Sequence, residues 1–379
     1  MAELWGTELS RRALMARIGR LEQVAGVTLG QYVEGPERGV RYADLRSGSG
    51  LELRVLIDRG FDPGELRVGG VPVAWRSPNG FRAPALHDAE EMDGTGLLRS
   101  IDGLMLTGGL DHVRGPAEGP AGHFGTRRET VRYPLHGRLS AQPARLTGHG
   151  ERWDGDRCVI WCEGEVRQTM LYGEHLVLTR RYEIELGRSR IDVFDRIENA
   201  GHCPTPHQLL YHVNFGFPLI GERTALQLSR SLEARADAAA LAAIAAPSVP
   251  GRIARDELLD LDLDATGAGD GWQSCAIANP GLAGGLAIEV SFASPHLTRL
   301  QIWRNRSPGV EVLAVEPATH PAQPRGVLDA GAAIAPLDPG EVRDYRLAFS
   351  AHTGEPALAV LQSRLAHGTM RGPDGEVAR

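Results

Sequence analysis

The run Arg180-Arg-Tyr-Glu-Ile-Glu-Leu186 alternates polar and apolar residues, breaks at Gly187-Arg-Ser189, and alternates again from Arg190 to Asp195. A side-chain period of two interrupted by a short Gly-containing break predicts an antiparallel hairpin. The same texture fills most of the chain. Val24–Leu29, Val40–Leu45, Leu51–Ile57, Leu66–Trp75, Val131–Ala141, Arg157–Arg167, His175–Leu186 and Ile191–Asn199 are short apolar or alternating runs. Gly/Pro/Asp clusters such as Glu34-Gly-Pro36 and Gly48-Ser-Gly50 separate them. Gln168–Glu174 reads as a turn. Leu286–Ala293 and Leu297–Arg304 read as a further pair joined near Pro295, and Pro339-Gly-Glu341 opens a last strand, Val342–Ser350. Strands this numerous must cover one another's apolar faces. The expectation is an all-β fold, a large antiparallel β-sandwich formed as one domain over residues 1–379.

Helix is predicted in few places. Residues 7–18 carry Leu9, Leu14 and Ile18 at near-helical spacing, with Thr7 or Ser10 as cap and Gly19 as stop, inside an N-terminal segment 1–20. The Ala-rich Ser231–Ile244 reads as a helical connection ended by Pro247 and Pro250. Pro356–Leu365 reads as a terminal helix and 367–379 as a polar, frayed tail. The Gly/Pro-rich Gly108–Gly125, with Asp111, His112 and His123, is expected to be a working loop.

Charge and cysteine use narrow the partners. The net charge of -7, with Arg and acids interleaved, offers no basic track for nucleic acid. No apolar run reaches the ~20 residues of a membrane span. Arg11, Arg12, Arg17 and Arg20 interrupt the region where a leader's apolar core would sit. Cys158, Cys162, Cys203 and Cys275 fit neither a zinc knuckle nor a CxxC pair and read as buried free thiols of a cytoplasmic protein.

The chemistry-bearing candidates sit in apolar, strand-like surroundings. Alternation through Leu209–Phe217 puts Leu210, His212 and Asn214 on one strand face. Glu316 ends the apolar run Leu313-Ala-Val315 and precedes Pro317. A carboxylate there needs a partner. Burial tunes His and Glu for acid/base work near neutral pH. The bland alternatives are a core His satisfied by a backbone carbonyl and one half of a structural ion pair. His136 lies in Tyr133-Pro-Leu-His-Gly-Arg138, where Gly137 permits close approach. Arg99, Asp111 and His112 are further binding candidates. Arg99, Arg138 and Arg304 are cations that a phosphate or carboxylate on the ligand would need. Neither H-E-x-x-H nor a His-x-His spacing with a following Glu occurs, so no metal site is assigned.

In chain order, His136-Gly137, the strand pair closing in Glu198-Asn199, His212 with Asn214, Glu316-Pro317 and Leu337-Asp-Pro-Gly-Glu341 resemble the galactose mutarotase-like aldose 1-epimerases. The resemblance covers most of the chain. Its N-terminal third, with Asp58-Arg-Gly60 and Ser77-Pro-Asn-Gly80, marks a divergent branch. It implies a supersandwich fold and a sugar isomerase without a cofactor. By this resemblance His212 would be the general acid and Glu316 the general base, with His136 and Arg99 at substrate-binding positions; Asn214, Asp111 and His112 join them as substrate-binding candidates. The family's His-Pro-Tyr-Phe-Asn run is here His212-Val-Asn-Phe-Gly216, so the Pro is missing and the Asn arrives early. Two alternatives stand beside this reading. One is a non-catalytic carbohydrate-binding or regulatory protein, against which the 6% aromatic content weighs. The other is an epimerase of sugar phosphates or uronates. A hydrolase would need two carboxylates at a set separation, and only Glu316 stands out. Oligomeric state is left open.

Overall fold

The computed structural model describes residues 1–123, 128–246, 255–263, 271–293 and 295–367. Three antiparallel sheets carry the architecture. The largest has eight strands, in the order Arg145–Asp154, Arg157–Thr169, His175–Glu185, Arg190–Asn199, Val342–Thr353, Leu286–Ala293, Trp272–Asn279 and Ala225–Leu228. A five-stranded sheet runs Glu257–Asp262, Arg299–Asn305, Val312–Ala318, Gln208–Phe215 and Met105–Leu110. The N-terminal sheet is a meander of Gly26–Gln31, Arg41–Arg46, Leu51–Leu56, Asp62–Val68 and Val71–Pro72. All three sheets send residues into one apolar core. Leu53, Val55 and Leu66 meet Leu178, Ile184 and Val193 there, together with Leu209, Val213 and Ile302. Each such side chain, fully removed from water, contributes about 1.5–3 kcal/mol. This is the large antiparallel sandwich that the alternating sequence predicts. The hairpin at 187–189 forms as expected, with Ile184 opposite Ile191.

A buried polar hub ties the sheets together. Arg180 clasps Asp195 through Nε at 2.7 Å and Nη2 at 2.6 Å, and reaches Asp62 with Nη1 at 2.5 Å. Thr107 donates its amide to Asp62 at 2.8 Å, and the Tyr211 hydroxyl donates to Asp195 at 2.8 Å. Asp62 belongs to the N-terminal sheet, Thr107 and Tyr211 to the five-stranded sheet, and Arg180 and Asp195 to the large one.

Several local expectations change. The segment 7–18 is not one helix: Thr7–Leu9 pairs with Ala2–Leu4 as a strand, and helix is confined to Arg11–Met15, capped by Ser10. Val131–Ala141 is not one strand either. Pairing stops at Tyr133, and Leu139–Ala141 is a 3-10 turn. Part of the Gly108–Gly125 loop is strand, at both Met105–Leu110 and Ala117–Pro120, and Gly125 lies outside the described residues. Leu286–Ala293 and the strand that follows it do not pair. The first joins Trp272–Asn279 and Val342–Thr353, and Arg299–Asn305 crosses to the other sheet. Alternation identifies a strand but not its neighbour. The Ala-rich segment is two short helices, Arg230–Glu233 and Ala238–Ala245; Pro247 and Pro250 lie outside the described residues, as does the tail beyond His367. The terminal helix is Glu355–His367, seating Leu361 and Leu365 on Ala276, Ala278 and Ala287. Cys158, Cys162 and Cys275 are buried free thiols, but Cys203 is exposed.

Candidate active site

Strand pairing brings His212 and Glu316 together. Gln208–Phe215 and Val312–Ala318 run antiparallel with Leu210 opposite Ala318 and Val213 opposite Val315. That register sets His212 directly across from Glu316. Residues paired in this way share a sheet face with their Cβ atoms about 5 Å apart. His212 Nε2 lies 3.2 Å from Glu316 Oε1, with side chains 7% and 1% exposed. On the next strand Gln301 pairs with Glu316, and on the other side Leu106 pairs with His212. One row across the sheet therefore reads Leu106, His212, Glu316, Gln301.

Glu316 is unusual in its wiring. Both carboxylate oxygens are buried without a hydrogen-bond donor among the described residues. The His212 ring is close enough for an ion pair but is not aligned as a hydrogen bond. Arg114 Nη2 stands 4.0 Å from Oε2 and is held off by its bond to Gln301 Oε1. An unsatisfied buried carboxylate is costly and rare.

His136 closes the site from a turn. Its φ of 56° and that of Arg114, 79°, are both left-handed, and its amide donates to the Arg114 carbonyl at 2.9 Å. Strain of this kind costs about 1–3 kcal/mol per residue and concentrates at functional sites. Gly137 follows at φ 76°, where a Cβ would lie 2.3 Å from the Gly109 carbonyl oxygen. Only glycine allows that approach. The His136 ring lies over Gly108, which has no side chain to displace it, and meets His212 edge-on with centroids 5.7 Å apart. Burial drives the His136 pKa well below its ordinary value, and the neighbouring His212 and Arg114 push it the same way. His136 is a neutral ring beside the His212/Glu316 pair.

His112 and Asp111 stand one layer further along. The His112 ring stacks on Tyr133 at 5.1 Å and donates from Nε2 to the Gly115 carbonyl at 2.9 Å. Burial lowers its pKa to about 4. The Asp111 carboxylate is fully buried with no hydrogen-bond donor, and its backbone carbonyl accepts from Arg325 at 2.7 Å. Asn214 is buried and bonded at both ends of its amide, to His212 and to the Gly103 carbonyl.

Arg99 does not join this cluster. It is exposed on the turn Gly96–Arg99, 3.4 Å from Glu91 and against the Met92 sulfur. Arg138 pairs with Glu90 at 2.6 Å, and Arg304 lies 3.5 Å from Glu311. None of the three cations proposed to meet an anionic ligand touches the His/Glu pair. Sequence reasoning passed over Arg114, Gln301, Trp303 and His320. Trp303 meets the His212 ring edge-on at 5.5 Å. His320, its carbonyl bonded by Gln301, is pushed by burial to a pKa of about 3. Gln301 and Trp303, two apart and so on one face of Arg299–Asn305, were the legible signal. A hollow of about 710 Å³ opens nearby between Arg132, Arg138, Thr169 and Glu174. Neither His212 nor Glu316 lines it, so burial and pairing, not hollow size, single out the site. Among the described residues no group of three or more His, Cys, Asp or Glu side chains is arranged to hold a metal ion.

The three-sheet sandwich with this row of side chains has the galactose mutarotase-like fold. A candidate aldose 1-epimerase from Klebsiella pneumoniae superposes with a TM-score of 0.76 at 20% identity, over 93% of this chain and 89% of that one. A galactose mutarotase-like protein from Clostridium acetobutylicum gives 0.55 at 14%, over 87% and 99%. The galactose 1-epimerase of Lactobacillus acidophilus gives 0.53 at 14%, over 87% and 100%. At these identities the likeness is one of fold. The chain belongs to the family described as a domain of unknown function (DUF4432), whose model matches residues 37–351. No curated protein matches it.

Proposed function

We propose that this protein is a sugar isomerase of the aldose 1-epimerase type, in which His212 and Glu316 open and reclose a cyclic hemiacetal. The observation that carries this reading is the buried contact of His212 Nε2 with Glu316 Oε1 at 3.2 Å, together with the absence of any hydrogen-bond donor on either Glu316 oxygen. Opening an anomeric ring needs a proton taken from the C1 hydroxyl and a proton given to the ring oxygen. Both oxygens are bonded to one carbon, so an acid and a base side by side on one sheet face can serve both. Glu316 as carboxylate accepts the first proton, and His212, starting as the imidazolium, delivers the second from Nε2. The carbonyl turns, and the roles reverse as the ring closes on its other face: His212 Nε2 takes the proton of the attacking hydroxyl and Glu316 gives its proton to the carbonyl oxygen. Each positioned transfer contributes roughly 10²–10⁴-fold. His136, uncharged, offers a neutral partner to a hydroxyl. Asp111 and His112 hold atoms further from C1. Arg99, turned away toward Glu91, is left out of the binding set. The whole chain works as one unit around this single site, and its unpaired thiols fit a reducing cytoplasm.

The test is polarimetry, or proton-exchange NMR, on freshly dissolved aldoses. Wild type should speed equilibration, while Glu316→Gln and His212→Gln should not. Equal behaviour of wild type and Glu316→Gln, with sugar still bound, would leave a binding protein instead. Faster turnover of sugar phosphates than of neutral sugars would favour the phosphate-specific alternative.

A further inference from the structure

Asn214 was expected to bind substrate, but both polar atoms of its side chain are engaged within the protein. It is fully buried. Its backbone amide donates to the Leu104 carbonyl at 2.5 Å and its own carbonyl accepts from Trp75 at 3.1 Å. Its side-chain Nδ2 donates to the Gly103 carbonyl at 3.2 Å. Its Oδ1 faces His212 Nδ1 at 2.5 Å. Gly103 in turn is fixed by close packing: its φ is 102°, and a Cβ there would lie 3.1 Å from the Gly64 backbone and 3.1 Å from the Phe81 ring. The Asn214 amide is therefore oriented from outside the site, by the main chain.

We infer that Asn214 is a positioning residue that sets the tautomer of His212, holding the ring proton on Nδ1 and leaving Nε2 as the nitrogen that exchanges protons beside Glu316. A carbonyl acceptor such as Gly103 O can be met only by the NH₂ end of an amide, so the oxygen end must point at the imidazole. An oxygen at hydrogen-bond distance from Nδ1 requires Nδ1 to donate. The proton-carrying site that varies during a reaction is then Nε2, the atom 3.2 Å from Glu316. Two residues on one strand face suffice for this, because positions i and i+2 lie side by side.

The choice of amide over acid also matters. A carboxylate in place of Asn214 would hold the same tautomer but add a second negative charge to the imidazole, which already faces Glu316 on its other nitrogen. Doubly anionic flanking would favour the imidazolium and make its proton harder to give up. The other ionisable groups around the ring are His136, edge-on at 5.7 Å, and Arg114, beside Glu316. Neither contacts Nδ1. An amide orients the ring without placing a second negative charge beside it.

This inference rests on the proposed acid role of His212, yet its test does not need sugar turnover. Nitrogen-15 NMR of the imidazoles, with His212 assigned by comparison with His212→Gln, reads the tautomer directly in the unliganded protein. The expected result, at a pH where the His212 ring is neutral, is that its one proton sits on Nδ1, so that the proton gained in the imidazolium and given up again is the one on Nε2. In Asn214→Asp the His212 titration midpoint should rise by at least one pH unit with the tautomer kept. In Asn214→Ala the Nδ1 preference should fade, and where anomerisation is measurable kcat should fall at least tenfold with KM within threefold. A wild-type His212 carrying its proton on Nε2, or a midpoint unmoved in a folded Asn214→Asp, would overturn the assignment. An Nδ1-protonated ring in a protein that accelerates no sugar would keep the tautomer assignment and remove the proposed reaction.

Discussion

The two faces of Gln208–Phe215 treat buried charge in opposite ways. On the inner face Tyr211 joins Arg180, Asp195, Asp62 and Thr107, and every carboxylate oxygen there has a donor. On the outer face His212 lies against Glu316, whose two oxygens have none, near His112, His136 and His320, each with an unpartnered ring nitrogen. The strand and its burial are the same. The difference lies in whether the polar groups have partners among the described residues. A satisfied network rigidifies and specifies the core, whereas an unsatisfied one is a cost that persists where function uses it.

The sharpest way to break this contrast is to damage the inner face. Arg180→Ala strands Asp195 and Asp62 without their cation. Removing one partner of a buried pair costs about 3–5 kcal/mol, so denaturant unfolding should show a loss of that size, and soluble yield should drop. The matching change on the outer face should behave in reverse. Glu316→Gln is expected to leave the unfolding midpoint unchanged or slightly raised, while the rate of anomerisation falls by roughly 10²–10⁴-fold. Loss of stability in Glu316→Gln comparable to that in Arg180→Ala would erase the distinction between the two faces.

A third test uses pH. Burial alone would raise the Glu289 carboxyl, but hydrogen bonds from His352 and from Arg364 of the terminal helix hold its pKa at about 2. A depressed carboxyl pKa adds stability that is complete above the ordinary value near 4.5 and lost as pH falls toward 2. The shift corresponds to about 3 kcal/mol. Buried neutral histidines act higher on the scale. His112 and His207 at about 4, against 6.5 unfolded, lose their stabilising contribution as pH drops from 6.5 toward 4. Unfolding free energy should therefore decline in two stages on acidification, and Glu289→Gln should flatten only the lower one. The smallest effect belongs to Arg99→Ala, which should change both KM and stability by less than twofold and about 0.5 kcal/mol, as for an exposed side chain. A large rise in KM would bring Arg99 back into the site.

Much of this was readable in the chain, and the reasons differ by residue. Alternation located Arg190–Asn199 and Val342–Thr353 within a few positions, because one buried face imposes the period. It placed His212 and Asn214 on one face for the same reason. It could not say that Arg299–Asn305 leaves the sheet of its predecessor, since pairing partners are chosen by tertiary packing. His136 was found but put on a strand, because the left-handed backbone at His136 and Gly137 leaves only a single Gly as its trace. Arg114 was missed because it enters from a loop whose shape the sequence does not state. Asn214 was noticed for its polarity, but its bond to the Gly103 carbonyl was not legible, because Gly103 lies far away along the chain.

The pairing of Val213 with Val315 has one more implication. Because neighbouring side chains alternate between faces, a slip of one residue between these two strands would deliver Val315 to the outer face and drive Glu316 into hydrocarbon. Competence is thus decided while the polypeptide zips up. In a preparation renatured from denaturant, the share of catalytically live molecules would report how often that zipper closed on the correct tooth.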